Sequence, residues 1–152
     1  MYDRTTIGLE EAMAGIQSMI KEASKEPDKP MTVCVVDERG ELVAFARMDG
    51  ATELFTEMAI KKAKTTVQFR RHTGDLMTRL ESIQHRIYWF GPDFTVVPSG
   101  LAITKPGEYK ASYGKLYGAI GTSGRIAGEK VDDLAIAEVG LKAIQDYVWP
   151  SG

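Results

Sequence analysis

The stretch VCVVDERGELVAFARMDG, residues 33–50, decides the fold. Met31 to Asp37 reads as a strand that is apolar on both faces, which places it centrally in a sheet. Glu38-Arg39-Gly40 turns the chain, and Leu42 to Met48 returns as the second strand of a hairpin. The hairpin ends in Arg47-Met48-Asp49-Gly50. A second stretch, LYGAIGTSG at residues 116–124, reads as a strand with small residues inside it. Gly118 and Gly121 weaken a strand unless another backbone or a ligand must come close. Either a tight packing contact or a ligand approach satisfies that reading.

Outward from these two segments the pattern alternates. Ile7, Ala12, Ile16, Met19, Ile20 and Ala23 recur at helical spacing, predicting a first helix capped at Thr5 or Thr6 and running to about Lys25. Leu54, Met58, Ala59, Ala63 and Val67 mark a second helix, with Lys61, Lys62 and Lys64 assigned to its polar side. Thr73 is read as the cap of a third, which passes through Leu76, Leu80, Ile83 and Ile87. Leu101 to Thr104, Tyr109 to Tyr113 and Leu116 to Thr122 predict three more strands. A last helix is expected over about Glu129 to Tyr147. The order α-β-β-α-α-β-β-β-α implies an α+β domain with an antiparallel sheet covered by helices. The whole of 1–152 is expected to be a single domain.

Composition narrows the function classes. A net charge of −2 gives no basic excess for phosphates, so nucleic acid is not the expected partner. The apolar runs are strand-sized and the first residues are polar, so neither a membrane span nor a signal peptide is expected, and the expected location is cytoplasmic. Cys34, the single cysteine, lies inside an apolar strand and reads as a small buried hydrophobe. No metal-ligand cluster is visible in the spacing of two histidines and one cysteine.

Several residues invite a chemical reading. Arg47 at a strand end can clamp a carboxylate with two hydrogen bonds, or pair with Asp49 to brace the turn. Lys64 can meet an anionic ligand or lie on a solvated face. His72 stands at a helix entrance as a titratable ring able to ligate iron or move protons, or as an ordinary surface histidine. Thr73 and Gly74 open a helix whose free N–H groups favour anions. Gly121, Ser123 and Gly124 can offer backbone donors. Tyr88, Trp89, Phe90 and Phe94 form an aromatic cluster that can wall a flat ligand or form a dimer contact. With Trp149, it exceeds what one small core readily buries, so a homo-oligomer, at least a dimer, is expected.

These pieces together resemble the GlcG/HbpS-like family, which includes the PduO C-terminal domain and is often labelled haem-degrading. Val35 to Ala51 matches its VVDxxGxLVAFxRMDGA pattern, Lys62-Ala63-Lys64-Thr65 its KAxT, and Gly118 to Gly124 its GAIGxSG. Arg71-His72-Thr73-Gly74 and Ala137 to Ile144 supply two further matches. The resemblance implies a profilin-like α/β/α sandwich, a five-stranded antiparallel sheet with helices on both faces. It also implies a small-molecule-binding protein, with haem or a related tetrapyrrole as the first ligand to test and Lys64 as a propionate partner. A cofactor-free isomerase, lyase or hydrolase acting on a small carboxylated metabolite is the alternative. In it Arg47 holds the carboxylate and Asp49 or His72 moves the proton. A non-catalytic accessory oligomer is the third reading. Two positions depart from the family: His72 replaces a usual proline, and Lys105-Pro106-Gly107-Glu108 replaces a Gly-Gly turn. No iron ligand is carried over from the resemblance.

Overall fold

The computed structural model describes residues 1–151. Its sheet has four strands: β1 (Thr32–Asp37), β2 (Leu42–Arg47), β3 (Gly100–Ile103) and β4 (Gly118–Ser123). Their order is β2-β1-β4-β3, and every neighbouring pair is antiparallel. The helices are α1 (Leu9–Ala23), α2 (Glu53–Phe69), α3 (Thr73–Ser82) and α4 (Asp133–Val148). A short 3-10 turn covers Ile87–Phe90.

The alternation of β1 splits the core in two. Val33 and Val35 face α1 and α4, joining Met19, Ile120, Ile136 and Ile144. Cys34 and Val36 face α2, joining Ala59, Ala63 and Val67. Each buried Val or Ile of this kind contributes roughly 1.5–3 kcal/mol. Burial on both faces is why β1 reads as a continuous apolar run. α1 and α4 cross closely because Gly140 leaves room for the Met19 side chain. α2 comes equally close to the sheet. A Cβ on Gly121 would collide with the backbone carbonyl of Ala59. Among the described residues no helix is long and apolar enough to cross a membrane.

The expected five strands become four. Tyr109 to Tyr113 is not a strand but part of an irregular connection over 104–117. Gly107 and Ser112 take positive φ values of 78° and 71°, which breaks the extended path. Tyr109 is drawn off the sheet to stack on His72. The β4 strand begins at Gly118, two residues later than expected, because Tyr117 N–H bonds to Ile103 while its carbonyl accepts from Ile7. That second bond, with Thr6 Oγ1 accepting from Glu38 N–H, holds the N-terminal segment extended. α1 therefore starts at Leu9 without a threonine cap. α3 ends at Ser82 rather than near Ile87, since Gln84 adopts φ 59°. Trp149 packs on Tyr117 with ring centroids 5.0 Å apart, so it is not part of an outer patch.

Candidate functional site

The outer edge of β3 positions the site. Gly100 and Ala102 lie two residues apart and direct their N–H groups away from β4. An edge strand leaves such donors open. Here Thr73 Oγ1 accepts from Gly100 N–H at 2.9 Å, and His72 Nδ1 accepts from Ala102 N–H at 3.0 Å. Two consecutive side chains thus occupy the place of a fifth strand. Thr73 serves β3 and makes no side-chain cap of α3; His72 holds the cap position, also without a side-chain cap bond. The chain reaches this point because Arg70 ends α2 in the left-handed conformation, φ 53°.

The bond to Ala102 fixes the tautomer of His72. A nitrogen that accepts from N–H carries no proton, so the proton sits on Nε2. The ring lies flat on Tyr109, centroids 3.7 Å apart and planes 10° apart. Tyr109 Oη accepts from His72 N–H at 3.0 Å and donates to Asp75 Oδ2 at 2.7 Å. Burial lowers the His72 pKa below its ordinary 6.5, and the Asp75 carboxylate pulls only partly the other way. The imidazole is therefore neutral near pH 7. Burial, with the Asp75 bond, pushes the Tyr109 hydroxyl up to about 12.

Beside His72 a cleft of about 310 Å³ opens between the start of α3, residues 98–101 and α4. Leu101, Leu134 and Leu141 give it apolar walls, while Asp75 and Glu138 give it two carboxylates and Ser99 a hydroxyl. Ser99 adopts φ 93° and is 2% exposed. Behind it lies Lys62, 1% exposed and expected on the surface. Its Nζ donates to Thr122 O at 2.7 Å, Ser99 Oγ at 3.0 Å and Asp133 Oδ2 at 3.3 Å. Three acceptors match the three N–H bonds of an ammonium. Burial pulls the Lys62 pKa down and Asp133 pulls it back. Asp133 Oδ1 also accepts from Arg125 N–H, and the buried Arg125 guanidinium donates to the carbonyls of Ala23, Glu26, Lys29 and Val131.

The remaining residues singled out by sequence are not brought together within the chain. Arg47 and Asp49 are exposed at the end of edge strand β2. His72 and Thr73 sit beyond the opposite edge strand, β3, which is itself three strand spacings or about 14 Å from β2. Lys64 lies beside Gly40, in the turn at the other end of the β1–β2 hairpin from Arg47. Ser123 is buried opposite Thr32. Gly121 and Gly124 receive backbone, from Ala59 and from Pro30 and Met31 respectively, so tight packing is what their lack of a side chain serves. Sequence reasoning missed Lys62, Ser99, Tyr109, Arg125 and Glu138. Lys62 alone carried a signal: it shares the stripe of Ala59, Ala63 and Thr66 that faces the sheet.

A four-stranded sheet between two helical layers, with GAIGTSG as an inner strand and KAKT packed on it, matches the "Haem degrading protein HbpS-like" family model over residues 7–142. The chain belongs to the HbpS-like family. Among solved structures it is similar to a double mutant of HbpS from Streptomyces reticuli, at 25% identity and TM-score 0.76, over 93% of this chain and 89% of that one. The complex of PduOC with haem aligns at 22% identity and TM-score 0.73, over 91% and 95%. The ORFY protein of Klebsiella pneumoniae aligns at 20% identity and TM-score 0.76, over 95% and 94%. The last two likenesses bear on the fold alone. No curated protein matches the chain.

Proposed function

We propose that this HbpS-like chain binds a small molecule of the haem or tetrapyrrole class. Family membership supports the ligand class, together with a structural neighbour described as a haem complex. Within the chain, the supporting observation is the segment that follows α3. Met77, Leu80, Ile87, Tyr88 and Val96 line an open, mainly apolar cleft of about 300 Å³, joined by Glu81, His85 and Arg86. Tyr88 is 71% exposed and Trp89 57%, so the apolar wall continues outward. Flat aromatic faces of this kind suit a macrocycle.

The donor set there fits haem. His85 is exposed, with its ring tilted against Trp89 at 5.2 Å, and would hold the iron through a ring nitrogen. Arg86 would meet a propionate. Haem, when bound, would supply redox chemistry at its iron. His72 does not fit the ligand role, because its free nitrogen carries the proton. Arg47, Lys64, Thr73, Gly121, Ser123 and Gly124 have no place in this reading, since none lines this cleft: they lie on β2, on α2, at the start of α3, in β4 or just after it. Asp49, exposed at the end of β2, has none either.

Titration of the purified protein with haemin tests the reading. Saturable growth of a Soret band at about one haem per chain is expected. A spectrum identical to haemin in buffer would end it.

A further inference from the structure

The cleft beside His72 has a separate chemistry. Its contents are a neutral imidazole, a carboxylate on a helix facing it, apolar walls and no cationic side chain. The Ala102 N–H bond locks His72 with its only free donor at Nε2–H. A neutral imidazole held in this way, at a helix N-terminus, can polarise a carbonyl oxygen without transferring a full charge. Glu138 lies on α4 with Leu134 four residues before it and Leu141 three after, so all three share one face of the helix.

We propose that this cleft removes a proton from the carbon alpha to the carbonyl of a small uncharged ketone or aldehyde, with His72 polarising the carbonyl and Glu138 acting as base. The absence of Lys or Arg from the lining, beside two carboxylates, disfavours an anionic substrate. That argues against the carboxylated metabolite in this cleft. The volume of about 310 Å³ suits a molecule of modest size.

The step balances without a cofactor. The alpha C–H bond breaks and its proton passes to the Glu138 carboxylate. The electron pair forms the carbon–carbon double bond of an enolate, whose oxygen accepts from His72 Nε2–H. Return of a proton to the same carbon gives exchange with solvent. With an alpha-hydroxy ketone, return to the neighbouring carbon, with transfer of the hydroxyl proton, gives the isomeric hydroxy aldehyde. Ser99 is not the nucleophile of this site. Its hydroxyl donates to Thr122 O and accepts from Lys62, which fixes it as part of the floor. Tyr109 and Lys62 are positioning residues, acting through His72 and Ser99.

The test uses haem-free protein in D2O, so its outcome is independent of the haem reading. Dihydroxyacetone, hydroxyacetone and glycolaldehyde serve as probes, and proton NMR follows loss of the alpha C–H signal. The parent should accelerate exchange of at least one probe above buffer. Glu138→Gln, at an exposed position, should lose roughly a hundredfold or more of that rate. His72→Asn keeps an acceptor for Ala102 N–H but loses the Nε2 donor. It should lose roughly a hundredfold while remaining folded, the lost stack on Tyr109 lowering the melting temperature only modestly. No acceleration of any probe by the parent, or exchange unaffected by Glu138→Gln, would overturn the proposal.

Discussion

Ala102 N–H donates to Nδ1 of His72 at 3.0 Å, and this bond closes the open edge of the sheet. It replaces a backbone ladder with a titratable acceptor. If His72 is protonated, Nδ1 becomes a donor and the bond is lost.

Stability should therefore depend on pH through His72. Burial lowers its folded-state pKa below 6.5. The unfolded chain then takes up the proton first as pH falls, and ν for the unfolded state exceeds that of the native state. Stability drops as pH goes from about 6.5 down through the lowered folded value. Asp75 and Glu138 line the cleft beside the ring; Asp75 opposes the shift only in part, and the Tyr109 hydroxyl, pushed up to about 12, stays protonated through the window. Urea unfolding of the parent between about pH 7.5 and pH 5 should show a steeper loss than His72→Asn. Parallel slopes would show that His72 is not the titrating group.

Two glycines should respond oppositely to added bulk. Gly121→Val drives a side chain into the Ala59 carbonyl and should cost roughly 1–3 kcal/mol or more. Gly74→Ala, in the first turn of α3, meets nothing nearer than Pro98 Cβ at 4.0 Å and should be neutral or stabilising by up to about 1 kcal/mol. Denaturant midpoints of both variants decide this, and equal effects would remove the close-approach account of β4.

Lys62→Ala should be among the most damaging single changes. It strands the Asp133 carboxylate beside Thr122 O and Ser99 Oγ without their shared donor. Losing one partner of a largely buried pair costs about 3 kcal/mol. Lys64→Ala, exposed on the same helix, should cost under about 0.5 kcal/mol. Similar losses from the two in thermal unfolding would contradict the assignment of Lys62 to the core.

Cys34 is fully buried, and burial pushes its thiol up to about 12. It should resist Ellman's reagent in the native protein and react at once in denaturant. Fast native labelling would contradict its placement on β1 beneath α2.

The hairpin over 33–50 was legible because burial, dictated by water and oil alone, leaves its mark on the residues: β1 is an unbroken apolar run closed by a turn. The helical faces of α1, α2 and α4 were legible for the same reason. Tyr109 was not, since a tyrosine among turn residues reads equally as strand edge or loop. Its role depends on His72, 37 residues away. Thr73 looked like a cap because local chemistry favours that use. A nonlocal donor, Gly100 N–H, took the hydroxyl instead. Lys62 was mislaid because a charged residue in an apolar stripe is usually assigned to the rim. Only Thr122, Ser99 and Asp133, distant in sequence, make its burial tolerable.

We infer that the segment after α3 holds a haem-type ligand through His85. Haemin titrations of the parent, His85→Ala and His72→Asn, compared by Soret position and affinity, test it most directly. His72→Asn should match the parent. His85→Ala should shift the band and lose roughly tenfold or more in affinity, about 1.4 kcal/mol. An unchanged spectrum and affinity in His85→Ala would contradict it.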